Sequence, residues 1–118
     1  MKKPIQLILL LLSLGQISPV TAHAVVTDYS LKIAPIHAGR QDQAELTFNS
    51  KIELGLSQIF LVRKGDKQEL LSAEKGGKRG QIIVHIPALD YGDYALKLKV
   101  FAADGHLTED VIHFSVTQ

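Results

Sequence analysis

Hydrophobic and polar residues alternate along most of the chain beyond residue 22, as they do in strands that bury one face. No segment of this part of the chain shows a convincing helical period. The alternation predicts short strands over residues 24–29, 43–48, 59–62, 69–71, 82–86, 94–100 and 111–116. Residues 74–80, which include Gly76 and Gly77, predict a polar loop.

The last two predicted strands have the most regular pattern. In residues 94–100 the aromatic and aliphatic positions alternate with Ala95, Lys97 and Lys99, and in residues 111–116 they alternate with His113 and Ser115. About seven short strands with turn signals roughly every 8 to 12 residues are typical of a two-sheet β fold. We therefore predict an all-β fold, an immunoglobulin-like antiparallel β-sandwich with Greek-key connections.

The first 22 residues have a different character. Lys2 and Lys3 precede an aliphatic run over residues 5–14, and small residues follow at 20–22, which is the order of regions in a cleavable secretory signal peptide. The run is about half the roughly 20 residues that a membrane-spanning helix needs. We expect cleavage after residue 22, leaving a single exported domain over residues 23–118. Cleavage before Val25 fits the same rule and would remove His23.

Cleavage changes the chemistry that the chain can offer. Removing residues 1–22 from 118 leaves 96 residues with 11 basic and 12 acidic side chains, and removes the single Met from a chain that has no Cys. Without sulfur, the domain has no disulfide and no soft metal ligand. The near-zero charge argues against a nucleic-acid binder, and Lys75, Lys78 and Arg79 suggest a solvated loop.

One turn carries candidate chemistry. Asp104-Gly105-His106 lies between the two most regular strands, and an extended i, i+2 spacing directs the Asp and His side chains the same way. By itself Asp-Gly is an ordinary hairpin turn. A mature N-terminal His23 would add an α-amine and an imidazole, and together these nitrogen and oxygen ligands suit tetragonal Cu(II).

The sequence also resembles a known family. The matching features, in chain order, are His23-Ala24 after the signal, Ala-Glu-Leu-Thr-Phe at 44–48, Leu-x-x-Gly-x-Tyr at 89–94, and Asp104-Gly105-His106 before a final Phe-Ser-Val. This ordered set resembles the CopC-type periplasmic copper-resistance proteins.

The resemblance implies an immunoglobulin-like sandwich that binds Cu(II) in the periplasm, beside an inner-membrane CopD-type partner. It implies His23, Asp104 and His106 as the Cu(II) ligands, with Glu45 at a peripheral acidic position. His113 is a reserve ligand because it follows the candidate turn. We expect a monomer that buffers or delivers copper and binds no nucleic acid.

Two other functions compete with copper binding. An exported interaction module without metal would use a sheet edge or a loop, and it is favoured if cleavage removes His23. A copper-dependent oxidative enzyme could also begin with a histidine, but the chain offers only three Tyr and four Phe for a substrate surface. No other catalytic set is present in the sequence, so we expect a protein that is not an enzyme.

Overall fold

The computed structural model describes residues 24–32 and 34–118. The predicted signal peptide, residues 1–22, and the predicted ligand His23 lie outside these described residues. Within them the chain forms nine strands and two single-turn 3-10 helices, Ser30–Lys32 and Leu54–Leu56. The strands are β1 Val26–Tyr29, β2 Ile36–His37, β3 Asp42–Phe48, β4 Gln58–Arg63, β5 Lys67–Leu71, β6 Ala73–Lys75, β7 Gln81–Ile86, β8 Gly92–Phe101 and β9 Leu107–Thr117.

The strands form two sheets. One has the order β1-β3-β7-β6 and the other β2-β9-β8-β4-β5, so the connections after β1, β2, β3, β5 and β7 each cross from one sheet to the other. The pairs are antiparallel except for the short contact of β2 with β9, which is parallel. The predicted all-β sandwich is confirmed. No helix in the described ranges is long and apolar enough to cross a membrane.

The core lies between the inner faces of the two sheets. Leu46 on β3, Val84 on β7 and Leu96 on β8 are fully buried, and Tyr94 stacks on Phe114 with ring centroids 5.8 Å apart. Each buried aliphatic side chain contributes about 1.5 to 3 kcal/mol through loss of water contact. The buried positions of β9 are those that the alternating pattern predicts, and His113 is exposed on the outer face as expected. On β8 the residues predicted to face inward are buried or half-buried, but Ala95, which the pattern placed outward, is buried as well.

Three parts of the strand prediction were wrong in detail. Strand β2 was not predicted. Residues 73–75, partly placed in a loop, form β6, which pairs with residues 82–84 of β7. This strand lies at a sheet edge with two of its three residues exposed, so its sequence has no alternating apolar face. Strand β9 begins at Leu107, four residues earlier than predicted, because its exposed polar residues continue the pairing with β8 up to Phe101. Strands β4 and β5 are joined by a tight turn at Gly65-Asp66, where both residues have positive φ.

Candidate metal centre

The turn between β8 and β9 is closed by backbone hydrogen bonds. The Gly105 N–H donates to the Ala102 carbonyl at 2.9 Å, and the Ala102 N–H donates to the His106 carbonyl at 3.0 Å. Gly105 has a φ of +90°, a backbone conformation that side chains disfavour. The Asp-Gly sequence therefore forms a tight turn at the end of the longest hairpin, with Asp104 and His106 on either side of the glycine.

Asp104 and His106 are held together by two contacts. The backbone N–H of His106 donates to Asp104 Oδ1 at 3.1 Å, and the imidazole Nδ1 lies 2.9 Å from Asp104 Oδ2. An ionised carboxylate only accepts hydrogen bonds, so Nδ1 carries the proton and the lone pair of a neutral imidazole is on Nε2. A carboxylate that fixes the tautomer and orientation of a histidine in this way is the usual companion of a metal-ligating imidazole.

The same contacts lower the pKa of Asp104. Its pKa lies below the ordinary value of 3.8, chiefly because the His106 backbone N–H hydrogen-bonds the carboxylate, and secondly because the imidazole does so. The Asp104 side chain is 39% exposed and that of His106 is 56% exposed, so both are accessible to an ion from solvent. The pair thus offers a carboxylate that stays ionised well into the acid range.

Residues 49–52, here called the support segment, hold both this turn and the start of the described chain. Asn49 Oδ1 accepts a hydrogen bond from the Val25 N–H at 2.8 Å, and the Asn49 N–H donates to the Val25 carbonyl at 3.0 Å. The Lys51 carbonyl accepts from the Ala103 N–H at 3.0 Å. Asn49 and Lys51 are two residues apart, about 7 Å at most. Val25 and the Asp104–His106 turn therefore lie at the same end of the sandwich.

The structure places the two reserve residues elsewhere. Glu45 is on β3, where its N–H donates to the Ser30 hydroxyl at 2.8 Å and its carboxylate accepts a long bond of 3.5 Å from Gln81. His113 is seven residues along β9 from His106, or about 23 Å at 3.3 Å per residue. Within residues 24–32 and 34–118, no three His, Cys, Asp or Glu side chains form a group that could hold a metal ion.

Within the described ranges Asp104 and His106 therefore remain a pair, with no third His, Cys, Asp or Glu side chain close enough to complete a metal site. Sequence reasoning found this pair but missed Lys51, whose carbonyl holds the turn, and Asn49, which holds Val25. Their roles depend on contacts with residues far away in the chain, Val25 and Ala103, which no local pattern indicates.

Comparison with known proteins identifies the family. The model of the CopC domain matches residues 34–117, well over half of the 118-residue chain. No curated protein matches the chain. Among solved structures, CopC from Methylosinus trichosporium OB3b is 26% identical, with a TM-score of 0.67 over 80% of this chain and 94% of that one.

A second neighbour shows the same fold at lower identity. PcoC, a methionine-rich copper resistance protein from Escherichia coli, is 18% identical, with a TM-score of 0.59 over 81% of this chain and all of its own. At this identity the match supports the sandwich architecture alone. The family match, together with the ordered motifs found in the sequence, confirms the predicted resemblance: the chain belongs to the CopC family.

Proposed function

We propose that this chain is an exported, non-catalytic Cu(II)-binding protein that buffers or delivers copper through His23, Asp104 and His106. Membership in the CopC family and the copper resistance proteins among its structural neighbours support a copper-related role rather than an enzymatic one. The observation that carries the proposal is the 2.9 Å Asp104–His106 pair, on a turn fixed to the segment that also holds Val25.

The proposed third ligand is the mature N-terminus. His23 precedes Val25 by two residues, which span at most about 7 Å, and Val25 is tied to the support segment beside the turn. The α-amine of a chain starting at His23 has a pKa near 8, so a metal displaces its proton readily, and its imidazole can chelate the same ion. These two nitrogens, with the His106 nitrogen and an Asp104 oxygen, complete a four-ligand set. For both side chains to reach one ion, the imidazole has to turn and give up its Nδ1 contact with the carboxylate. Glu45 and His113 have no place in this inner set.

The ligand set favours Cu(II) over Cu(I). Residues 23–118 contain neither Cys nor Met, so soft thiolate and thioether ligands are missing from the mature chain. The neighbour PcoC is described as methionine rich, which marks a difference in composition between the two proteins. Nitrogen and oxygen ligands bind Cu(II) more tightly than other divalent metals of its row.

The proposal also includes a location and a partner. Residues 1–22 act as a cleaved signal peptide, the domain over residues 23–118 works in the periplasm as a monomer, and an inner-membrane CopD-type protein receives the copper. The charged, apolar and small-residue regions of the N-terminal segment support export. The exposure of both turn side chains supports transfer, because an ion held near the surface can pass to a second protein.

A pair of proteins that differ only at the N-terminus tests the proposal. Residues 23–118 and residues 25–118 are each prepared by removing a fusion partner and titrated with Cu(II) and with Zn(II) by calorimetry. The longer protein should bind one Cu(II) and prefer it to Zn(II), whereas the shorter one should lose most of the affinity. Equal binding by both proteins, or no binding by the longer one, would contradict the proposed ligands.

A further inference from the structure

A cleft of about 270 Å³ adjoins the support segment and is lined by four cationic side chains. Lys51, Lys75, Lys78 and Arg79 surround it, and the buried side chains of Ile52 and Ile82 form part of its floor. We infer that this basic cleft is a docking site for an acidic segment of a partner protein. The inference goes beyond the proposed copper role and does not depend on it.

The charge distribution is the first observation that carries this inference. Residues 24–118 carry 11 Lys and Arg and 12 Asp and Glu. With four of the cations at the cleft, the rest of the domain has 7 cations against 12 carboxylates. Within the described part of the chain, no carboxylate lines the cleft and none of its four cations forms an ion pair. A patch of one sign on a surface of the other sign attracts a partner of complementary charge.

The second observation is that the loop bearing these cations is ordered by its own contacts. The Gly76 N–H donates to the Gln81 carbonyl at 2.8 Å, and the Gln81 N–H donates to the Lys78 carbonyl at 3.1 Å. Gly80 has a φ of +76° and packs so closely on the support segment that a Cβ would lie 2.9 Å from the Ser50 carbonyl oxygen. The loop that the sequence suggested is simply solvated is therefore folded back against residues 48–51.

Lys51 connects the cleft with the candidate metal turn. Its side chain lines the cleft, while its carbonyl accepts the hydrogen bond from Ala103, next to Asp104. A partner seated in the cleft would thereby contact a residue that also holds the turn. The cleft also borders a sheet edge, because β6, which ends at Lys75, is the last strand of its sheet. An extended segment can reach it without displacing another strand.

The geometry favours an acidic protein segment over other anions. All four cations are exposed, and a small anion would meet no buried donor in the cleft. An extended acidic segment can instead neutralise several cations at once and bury its aliphatic atoms on Ile52 and Ile82. A flat anionic membrane is disfavoured because the remaining surface, with its excess of carboxylates, would be repelled.

Binding of a synthetic peptide of alternating Glu and Ala residues to the metal-free protein tests the inference by NMR. We expect amide shift changes confined to Lys51 and residues 75–82, and an affinity that falls as salt rises from about 20 to 200 mM. The K78E/R79E variant should weaken binding at least about tenfold, and K78Q/R79Q less. The matched control K64E/K67E makes the same charge change at the β4–β5 turn, and it should stay within about twofold of wild type.

Several results would overturn the inference. These are no binding of the peptide, equal weakening by K78E/R79E and K64E/K67E, or equal binding of a peptide with Gln in place of every Glu. Binding of citrate or of anionic phospholipid vesicles as tight as that of the peptide would assign the cleft to a small anion or to a membrane instead. The peptide experiment uses the metal-free protein, so a failed copper titration would not affect its outcome. Likewise, failure of the peptide to bind would not affect the proposed copper role.

Discussion

Two histidine–carboxylate pairs in the described part of the molecule combine the same types of side chain but differ in how they are held. His106 Nδ1 lies 2.9 Å from Asp104 Oδ2, and His85 Nε2 lies 3.4 Å from Glu74 Oε1. Both pairs are partly exposed, so burial does not distinguish them. The first is fixed by a backbone hydrogen bond within a tight turn, whereas the second joins flexible side chains on β6 and β7.

The difference shows what a candidate ligand pair needs besides the right residue types. An exposed contact such as His85–Glu74 is worth about 0 to 1 kcal/mol and fixes neither ring orientation nor tautomer. The Asp104–His106 turn fixes both, and the support segment places it beside the start of the described chain. The fixed orientation of the imidazole and the position of the turn beside the start of the described chain distinguish this pair. The presence of a His and a carboxylate does not.

The largest expected effect is the loss of Cu(II) affinity when the imidazole of His106 is removed. Removal of the His85 imidazole is the matched control. His106→Ala should lower Cu(II) affinity by more than about 100-fold, because loss of an outer-shell partner alone typically costs about 10- to 100-fold. His85→Ala should leave the affinity within about twofold of wild type, because its imidazole lies in the other pair. Competition titration against a chelator of known affinity measures both. Equal losses in the two variants would abolish the distinction between the pairs.

The support beneath the turn can be tested through Gly80. A Cβ at this residue would lie 2.7 Å from the Phe48 carbonyl oxygen, and φ is +76°. Gly80→Ala should therefore lower the free energy of unfolding by about 2 to 3 kcal/mol, through backbone strain and overpacking.

Gly39 provides the matched control for this substitution. Its φ is +81° but an added Cβ would meet open space, so Gly39→Ala should cost only about 1 kcal/mol. Urea unfolding followed by circular dichroism measures both variants. If the two costs are equal, the close packing of Gly80 on the support segment contributes nothing.

The carboxylates of the two pairs allow a finer comparison. Asp104→Asn should lower Cu(II) affinity by about 10- to 100-fold, because an amide supplies no charge and holds the imidazole less firmly. Glu74→Gln should have an effect below about twofold, since Glu74 belongs to the other pair. The same competition titration applies. An Asp104→Asn protein that binds like wild type would show that the carboxylate neither ligates nor orients.

The smallest expected effect is on the titration of Asp104 itself. Its pKa is lowered in the folded state, so the stability that it contributes is present above its ordinary value of 3.8 and is lost as the pH falls through the lower folded value. His106→Ala removes the imidazole contact but keeps the backbone N–H, so the pKa of Asp104 should rise part of the way back. Carboxyl-carbon NMR of the metal-free protein follows this change. The titration curve of the Asp104 carboxyl carbon should be the same in Glu74→Gln as in wild type. An unchanged curve in His106→Ala would contradict the assigned contacts.

The sequence predicted the strands with a regular pattern and missed the short strands β2 and β6. Apolar and polar residues alternate in β8 and β9 because the inner residues pack against the opposite sheet. This pattern is visible within the sequence of each strand. Edge strand β6 has no buried residue, and β2 is only two residues long although its Ile36 is buried, so pairing with distant partners defines both. The turn Asp104-Gly105-His106 was likewise local and predictable. Its attachment to Lys51, like that of Val25 to Asn49, depends on contacts that form only when the chain folds.

The most direct test of the central claim is the electron paramagnetic resonance spectrum of Cu(II) bound to residues 23–118, recorded for wild type, His106→Ala and His85→Ala. Wild type should give one axial signal typical of tetragonal Cu(II), with hyperfine splitting from several nitrogen ligands. The His85→Ala spectrum should match it, and the His106→Ala spectrum should lose the coupling to one nitrogen. A His106→Ala spectrum identical to wild type, or a wild-type signal like that of hydrated Cu(II), would contradict the proposed site.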